Sequence, residues 1–408
     1  MVISMKVERL DHYGRGISYI DGKITFVENA LDNEMVDIKI IKENKKYNEA
    51  IVTNLISESK DRVVPKCKYY NLCGGCSIEH MSINKQISFK KNKLENILGK
   101  FLKRNIAIND LVKLNNFNYR NKVVLHVKNN KLGFYQNGTN ELVEIDECLL
   151  LNKKINDILK LLKKYIKEEP NLEKITIKLG NKTDEVMLII DGAVKNYESL
   201  LKVSDCLIIN NKCITKKDYI NSYIGSKKYI IRKNTFFQVN YDIATRLYDD
   251  IKSIIINKNS KNVLDLYCGS GTIGIYISDI VENVMGIEVV EDAVISAEEN
   301  LRLNNIKNVK LILGKVEEKL DAICNNNIDT IIVDPPRSGL HKRVIDTLKK
   351  IKALNIIYIS CDPITMARDL SLLNDCYEIE DVTPYDMFPN TYHVECVCIL
   401  KRKQTLEI

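Results

Sequence analysis

The sequence predicts a multidomain protein in three parts: a small N-terminal β-barrel, a central α+β segment with a cysteine cluster, and a C-terminal doubly wound α/β domain. Three observations predict this. The chain has 408 residues, and at ~100–200 residues per domain that length allows about two to four domains. Residues 1–58 alternate polar and apolar in short runs, the period of strands with one buried face. From about residue 231 onward, strand-like and helix-like runs alternate regularly. That is the pattern of a mainly parallel sheet with helices on both faces.

The first part reads as the strands "ISYI", "KITFV", "VDIKII" and "EAIVTNLI", with turns at Gly14, Gly16, Gly22 and Asp32-Asn33. Short strands at this spacing suit a small barrel. The second part, residues 59–230, opens with "CKYYNLCGGCSIEHM". A helical run follows, "KQISFKKNKLENILGKFLKR", with Ile87, Leu94, Ile97, Leu98 and Phe101 on one face and lysines on the other. Strand patterns come next, with Asn137-Gly138 as a hairpin turn. Then comes a helix, "NKKINDILKLLKKYIKEE", and the strands "KITIKLG" and "EVMLII". In the third part, residues 231–408, the strands are "NVLDLYC", "NVMGIEVV", "VKLILG", "DTIIVDPP" and "NIIYISC". The last two, "YEIEDVTPYDM" and "HVECVCILKR", lack a helix between them and predict an antiparallel pair that closes the sheet.

Composition excludes several classes. Apolar residues are 45% and charged residues 28% of the chain, an ordinary globular balance. No apolar run is long enough to span a membrane. The N-terminus lacks the apolar core of a signal peptide, so a cytoplasmic protein is expected. Nothing in the sequence demands assembly, and a monomer is expected. Net charge is +7, and its distribution is uneven. Between Lys60 and Lys131, sixteen Lys/Arg stand against four Asp/Glu, so the rest of the chain is net negative. A concentrated basic segment points to a polyanionic partner, most simply a nucleic acid; solvated lysine-rich helices would look the same.

"NVLDLYCGSGTIG" puts Asp265 in a strand that runs into Gly269-Ser270-Gly271, where the backbone can approach a ligand at the start of a helix. Glu288 ends the next strand, where an acid suits a ribose diol. Gly274 supplies a third glycine, so these glycines alone leave a dinucleotide open. The fourth strand ends in Asp334-Pro335-Pro336. Acid-Pro-Pro at this place resembles S-adenosylmethionine-dependent methyltransferases that act on nucleobases.

Methylation of an amine needs no thiol, yet Cys361 ends the fifth strand in "IIYISCDP". Carbon-5 of uracil is a poor nucleophile. A thiolate added at carbon-6 makes it an enolate carbon that attacks a methyl group. Cys361 precedes a helix, whose N-terminus lowers a thiol's pKa; Asp362 works against this unless turned away. Read alone, Cys361 is more simply a buried cysteine at a strand end.

"DLYCGSGTIG", "IVDPPRSGL", "ISCDP" and "MFPNTYHVECVCIL", in this order, resemble the RNA 5-methyluridine methyltransferases of the 23S rRNA (uracil-5-)-methyltransferase type. "NTFFQVN" resembles that family's entry to the catalytic domain. The resemblance covers nearly the whole chain. It implies a Rossmann-like class I methyltransferase domain. "DHYGRGISYIDGKITFVENALDNEMVDIKI" likewise resembles a TRAM domain, an oligonucleotide-binding-like barrel on RNA-modifying enzymes, with Arg15 and Lys23 as candidate RNA contacts. The family pattern places cofactor contacts at Gln238, Tyr267, Thr272, Glu288 and Asp334. It places the nucleophile at Cys361 and the base that removes the carbon-5 proton at Glu395. Phe236 or Phe237 would stack on the cofactor or target base, or fill the core. Residues 79–111 would pack on the catalytic domain. The target base must leave its stack, so loops of RNA are the expected substrates.

Cys67, Cys73, Cys76 and Cys148 form a set among twelve cysteines. Four thiolates suit zinc or an iron–sulfur cluster. The spacing resembles the iron–sulfur pattern of the rRNA branch, which implies one [4Fe-4S] cluster with a structural or RNA-shaping role. It also implies 23S rRNA as partner. The same chemistry on tRNA, and a non-catalytic RNA-binding or ribosome-assembly factor, are the alternatives.

Overall fold

A computed structural model describes residues 3–169, 171–323 and 327–404. Cys324 lies outside them. The chain divides into two compact units. One comprises residues 1–93, 133–145 and 388–393, and the other residues 94–132, 146–387 and 394–408.

In the first unit the six strands Ile3–Lys6, Arg9–Leu10, Gly16–Ile20, Lys23–Glu28, Met35–Glu43 and Tyr47–Ser57 form one sheet. Their spatial order is first, fifth, sixth, fourth, third, second. Pairing is antiparallel except between Lys23–Glu28 and Tyr47–Ser57. Three register shifts between Met35–Glu43 and Tyr47–Ser57 bend the longest pair. The alternation buries Val7, Val27, Val36, Ile38 and Ala50 as the core. Glu34 is buried there as well. Its carboxylate accepts from Leu31 N (2.7 Å), Ser59 N (3.2 Å) and Arg62 Nε (2.5 Å). Burial works to raise its pKa; Arg62 and the backbone donors outweigh it and hold the group below the usual range.

A helix spans Ile83–Leu102. In the first unit its Phe89 packs with Leu31, Ile78 and Met81. Lys90 departs from the expected polar face: it is fully buried, and its Nζ donates to Phe388 O at 3.1 Å. From Leu94 onward the helix belongs to the second unit, where Leu94 and Leu98 join the core described next.

The second unit holds two sheets and a hairpin. One sheet places Lys122–Lys128 beside Leu172–Leu179, then Val186–Gly192, Cys206–Ile209 and Lys212–Cys213. The amphipathic helix Lys153–Glu168 buries Ile155, Ile158, Leu159, Leu162, Tyr165 and Ile166. The hairpin is Tyr219–Ile224 with Lys227–Arg232. The other sheet has the order Val309–Leu313, Asn283–Glu288, Asn262–Leu266, Thr330–Val333, Asn355–Ser360, Glu395–Arg402, Tyr377–Tyr385. The first five are parallel and the last two antiparallel. Both faces of the three central parallel strands, Asn262–Leu266, Thr330–Val333 and Asn355–Ser360, are buried, which is why they read as continuous apolar runs. Strand order reverses beside Asn262–Leu266, the switch point at which such sheets bind ligands. No helix among the described residues is long and apolar enough to cross a membrane.

Candidate active site

Five consecutive residues after strand Asn262–Leu266 contain three left-handed backbones: Tyr267 (φ 62°), Gly269 (φ 55°) and Gly271 (φ 72°). The chain turns sharply there into helix Thr272–Ile277. A β-carbon at Gly269 would meet nothing within 4 Å, so space lies open over this backbone. Beneath it Asp265 is buried. Its Oδ2 accepts from Gly274 N at 3.2 Å. Its Oδ1 and the Ser270 hydroxyl are buried with no partner among the described residues. Burial pushes Asp265 up to about 7; the Gly274 bond opposes, and Asp334 and Glu288 add to the rise. Glu288 ties the next strand end to this loop: it accepts from Gly269 N (2.9 Å) and from Val289 N and Val290 N (both 2.8 Å). Open backbone, orphaned buried acceptors and a fixed carboxylate fit a nucleoside-bearing cofactor.

The other expected contacts are placed as follows. Tyr267 is half-buried against the core. The Thr272 hydroxyl is turned to Tyr248, whose OH donates to it at 3.3 Å. Gln238 is half-buried, and its carbonyl accepts from Asn121 Nδ2 at 3.0 Å. The segment before it is held by a buried lysine. Lys178 Nζ donates to the carbonyls of Arg232 (2.8 Å), Lys233 (2.7 Å) and Thr235 (3.1 Å). Burial drops the Lys178 pKa to about 7, with Lys122 adding to the fall. The two phenylalanines separate: Phe237 is core, edge-on to Tyr229 and Tyr241, whereas Phe236 is 71% exposed.

Asp334, Cys361 and Glu395 meet at the strand ends. Asp334 follows Thr330–Val333, and Cys361 follows Asn355–Ser360. Glu395 opens the antiparallel strand in which Cys396 pairs with Ser360, so it begins where Cys361 stands. Burial raises Glu395, and Asp334's charge raises it further, with Arg337 in partial opposition. Burial also raises Asp334.

The thiol corrects one expectation. Asp362 is indeed turned away: its Oδ1 caps helix Pro363–Leu373, accepting from Ile364 N (2.9 Å) and Thr365 N (3.0 Å). Yet the thiol is not lowered. Burial pushes Cys361 up to about 11, and Glu395 and Asp334 add to this; Arg337 opposes them by charge and by a hydrogen bond to the thiol. Arg337 was not singled out from the sequence. The signal was its place directly after Asp-Pro-Pro.

Cys67, Cys73 and Cys76 lie in a loop of single turns, all half-buried. Glu79 anchors that loop, accepting from Lys66 N (2.9 Å) and Cys67 N (3.0 Å). Gly75 N donates to Cys73 Sγ at 3.3 Å. In the second unit Cys148 is bracketed by Asn156, which bonds both its N and its O at 3.0 Å. Thiols are the donors an iron–sulfur cluster takes. Among the described residues, however, no group of three or more His, Cys, Asp or Glu is placed to hold a metal ion.

Known proteins fix the family. The profile of the tRNA (Uracil-5-)-methyltransferase family matches residues 206–403, and that of the TRAM domain residues 2–53. An uncharacterized RNA methyltransferase of Clostridium acetobutylicum is 33% identical over 97% of this chain and 96% of its own length. Another, from Halalkalibacterium halodurans, is 30% identical over 98% and 97%. The crystal structure of Pyrococcus abyssi tRNA (uracil-54, C5)-methyltransferase in complex with S-adenosyl-L-homocysteine superposes with a TM-score of 0.81 and 26% identity. That match covers 98% of this chain and 100% of that one. With a TRAM domain at one end and the glycine loop, Asp-Pro-Pro and strand-end thiol at the other, the chain belongs to the S-adenosylmethionine-dependent RNA uracil-5-methyltransferase family.

Proposed function

We propose that this protein methylates carbon-5 of uridine in 23S rRNA through a covalent adduct of Cys361. The observation that supports it most is the convergence of Cys361, Glu395, Asp334 and Arg337 at the strand ends. S-adenosylmethionine, held by Gln238, Tyr267, Thr272, Glu288 and Asp334, supplies an electrophilic methyl group. Cys361 thiolate bonds to carbon-6, and the electron pair of the C5–C6 double bond moves into the enolate. Carbon-5 bonds to the methyl group as the S–CH3 bond of the donor breaks, with the electron pair left on sulfur and S-adenosylhomocysteine as the leaving group. Glu395 carboxylate then removes the carbon-5 proton, the double bond re-forms, and the C6–S bond breaks to return the thiolate. A carboxylate raised by burial is a better base for a carbon acid than an exposed one. The reaction runs in the cytoplasm, and the protein acts as a monomer. The working division of the chain is a TRAM domain at 1–58, a central domain at 59–230 and a catalytic domain at 231–408, with 79–111 on the catalytic domain.

Both the base and the thiol must be ionised, and both are raised, so activity is expected to climb from pH 6 to pH 9. Arg337 lowers the thiol. Arg337→Leu is therefore expected to move the climb to higher pH, and to slow iodoacetamide capture of Cys361 at pH 8 by about fivefold or more. Arg337→Lys, which keeps the charge, is expected to recover part of the rate. Peptide mass spectrometry at Cys361 reads both. Equal capture in all three proteins would remove Arg337 from the site.

The four cysteines are proposed to bind one [4Fe-4S] cluster. Support comes from their spacing and donor chemistry. Protein purified without oxygen is expected to contain about four irons per chain, and Cys73→Ala to lose them. Iron-free protein with wild-type melting and methylation would strike the cluster from this reading.

A tRNA substrate is the second reading, favoured by what the Pyrococcus abyssi protein acts on. Methylation of 23S rRNA fragments and of tRNA, measured side by side with labelled S-adenosylmethionine, separates the two. Activity on tRNA alone would replace the first reading by the second.

A further inference from the structure

Two loops of the first unit bring five aromatic rings into one row. His12 and Tyr13 come from the first loop, and Phe388, Tyr392 and His393 from the second. His12 and Tyr13 lie 4.0 Å apart, Tyr13 meets Tyr392 edge-on at 5.1 Å, and Tyr392 and His393 lie 4.2 Å apart. Phe388 extends the row at 5.8 Å from His393. His12 and Tyr13 are exposed, Tyr13 by 43%, and the other three are half-buried. Cations flank the row. Lys93 Nζ sits 5.2 Å from the Tyr392 ring, and the Arg15 guanidinium 5.3 Å from the Tyr13 ring.

Neither loop is slack. Asp11 Oδ1 accepts from Tyr13 N (2.9 Å) and Arg15 N (2.8 Å), and its Oδ2 from Arg15 Nε (2.8 Å). Gly14 has φ 84°, and a β-carbon there would stand 2.6 Å from Ile78. The backbone is thus pressed onto the small core, and the ring before it is turned outward. In the second loop, Asn390 O accepts from Ser77 N (3.0 Å) and Ile78 N (3.1 Å), and its side chain accepts from Gln86 Nε2 (3.1 Å). Tyr392 N donates to Ser77 Oγ at 3.0 Å. Rings that only filled a gap would not need two independently tied loops to hold them at the surface. Rings fixed in advance lose little conformational entropy when something stacks on them.

The rings are tilted or edge-on to one another, so the surface open to a ligand is that of the exposed His12 and Tyr13, and aromatic surface beside cations suits unpaired bases and their phosphates. A duplex offers phosphates as well, but its base faces are covered. We infer that the row His12–Tyr13–Tyr392–His393 is a stacking platform for the unpaired bases of single-stranded RNA. The inference rests on the RNA substrate proposed above and adds where and how a strand is gripped.

The test is binding without methyl donor. The full chain is titrated into a labelled, unstructured twelve-nucleotide RNA, and separately into the same sequence as a duplex. The double variant His12→Ala/Tyr13→Leu alters exposed rings, and its melting is checked against the parent. It is expected to lose about tenfold or more in affinity for the single strand, with duplex binding unchanged. Tyr13→Phe keeps the ring and is expected to bind like the parent. Unchanged single-strand affinity in the double variant overturns the platform. So does an equal loss on duplex, or a loss in Tyr13→Phe as large as in the double variant. A parent protein that binds neither RNA overturns the RNA reading itself, and this outcome is distinct from the others.

Discussion

Glu395→Gln is expected to leave the protein locked to its RNA. Glutamine matches the carboxylate in size, so the buried position at the head of the Glu395–Arg402 strand stays filled. It has no capacity to take a proton from carbon. Cys361 can still add to carbon-6, and methyl transfer can still occur. The product then holds both a methyl group and a proton on carbon-5, and the C6–S bond has no route to break. Turnover is expected to fall by about 10²–10⁴-fold. A complex that survives denaturation and contains labelled methyl is expected to accumulate. Removing the negative charge of Glu395 also removes one of the influences that raise Cys361, so addition itself is not expected to slow. A Glu395→Gln protein that turns over within about tenfold of the parent would assign proton removal elsewhere.

Cys361→Ala is expected to abolish methylation, by on the order of 10⁴-fold or more, while RNA affinity stays within about threefold. Without the thiol, carbon-5 remains part of an intact uracil and does not attack a methyl group. The side chain is half-buried and small, so its loss leaves the strand end folded. Circular dichroism and melting check this. Cys361→Ala also separates enzyme from binding factor: retained binding with no methylation is the enzyme's signature, and unchanged methylation would remove Cys361 as nucleophile.

The catalytic sheet was legible because its signals are local. The apolar runs are the parallel strands, and Tyr267, Asp334 and Cys361 directly follow such runs while Glu288 ends one. Tyr267, Glu288, Asp334 and Cys361 could therefore be put at strand ends from order alone. Even the closing antiparallel pair could be read, although not that Glu395–Arg402 inserts between Asn355–Ser360 and Tyr377–Tyr385. What escaped depends on contacts far apart in the chain. Arg337 reaches a thiol on the next strand, and no spacing rule shows that. Lys90 and Lys178 are buried with their amines donating to backbone carbonyls of distant segments, one for Lys90 and three for Lys178; a periodicity reading assigns lysine to solvent. The strands Ile3–Lys6 and Arg9–Leu10 are too short to show alternation. Residues 388–393 belong to the first unit although the sequence around them is catalytic, which hid the aromatic row from any linear reading.

The thiol's environment also changes how the site is understood. Sequence placed Cys361 at a helix N-terminus, which lowers a thiol. In the fold that helix is already capped by Asp362, and the charges the thiol meets are two carboxylates and one arginine. Burial comes first in raising the thiol, the two carboxylates add to it and Arg337 opposes them; the capped helix is not among these influences.

One experiment reaches the proposed chemistry most directly. The purified protein and S-adenosylmethionine are mixed with 5-fluorouridine-substituted 23S rRNA fragments and, separately, with substituted tRNA. Fluorine stands where the removable proton would be, so the methylated adduct has no exit. A complex that resists denaturation, forms on rRNA and maps to Cys361 is the expected result. A complex on tRNA alone keeps the mechanism and changes the substrate. No complex on either RNA, with binding intact, would contradict a covalent role for Cys361.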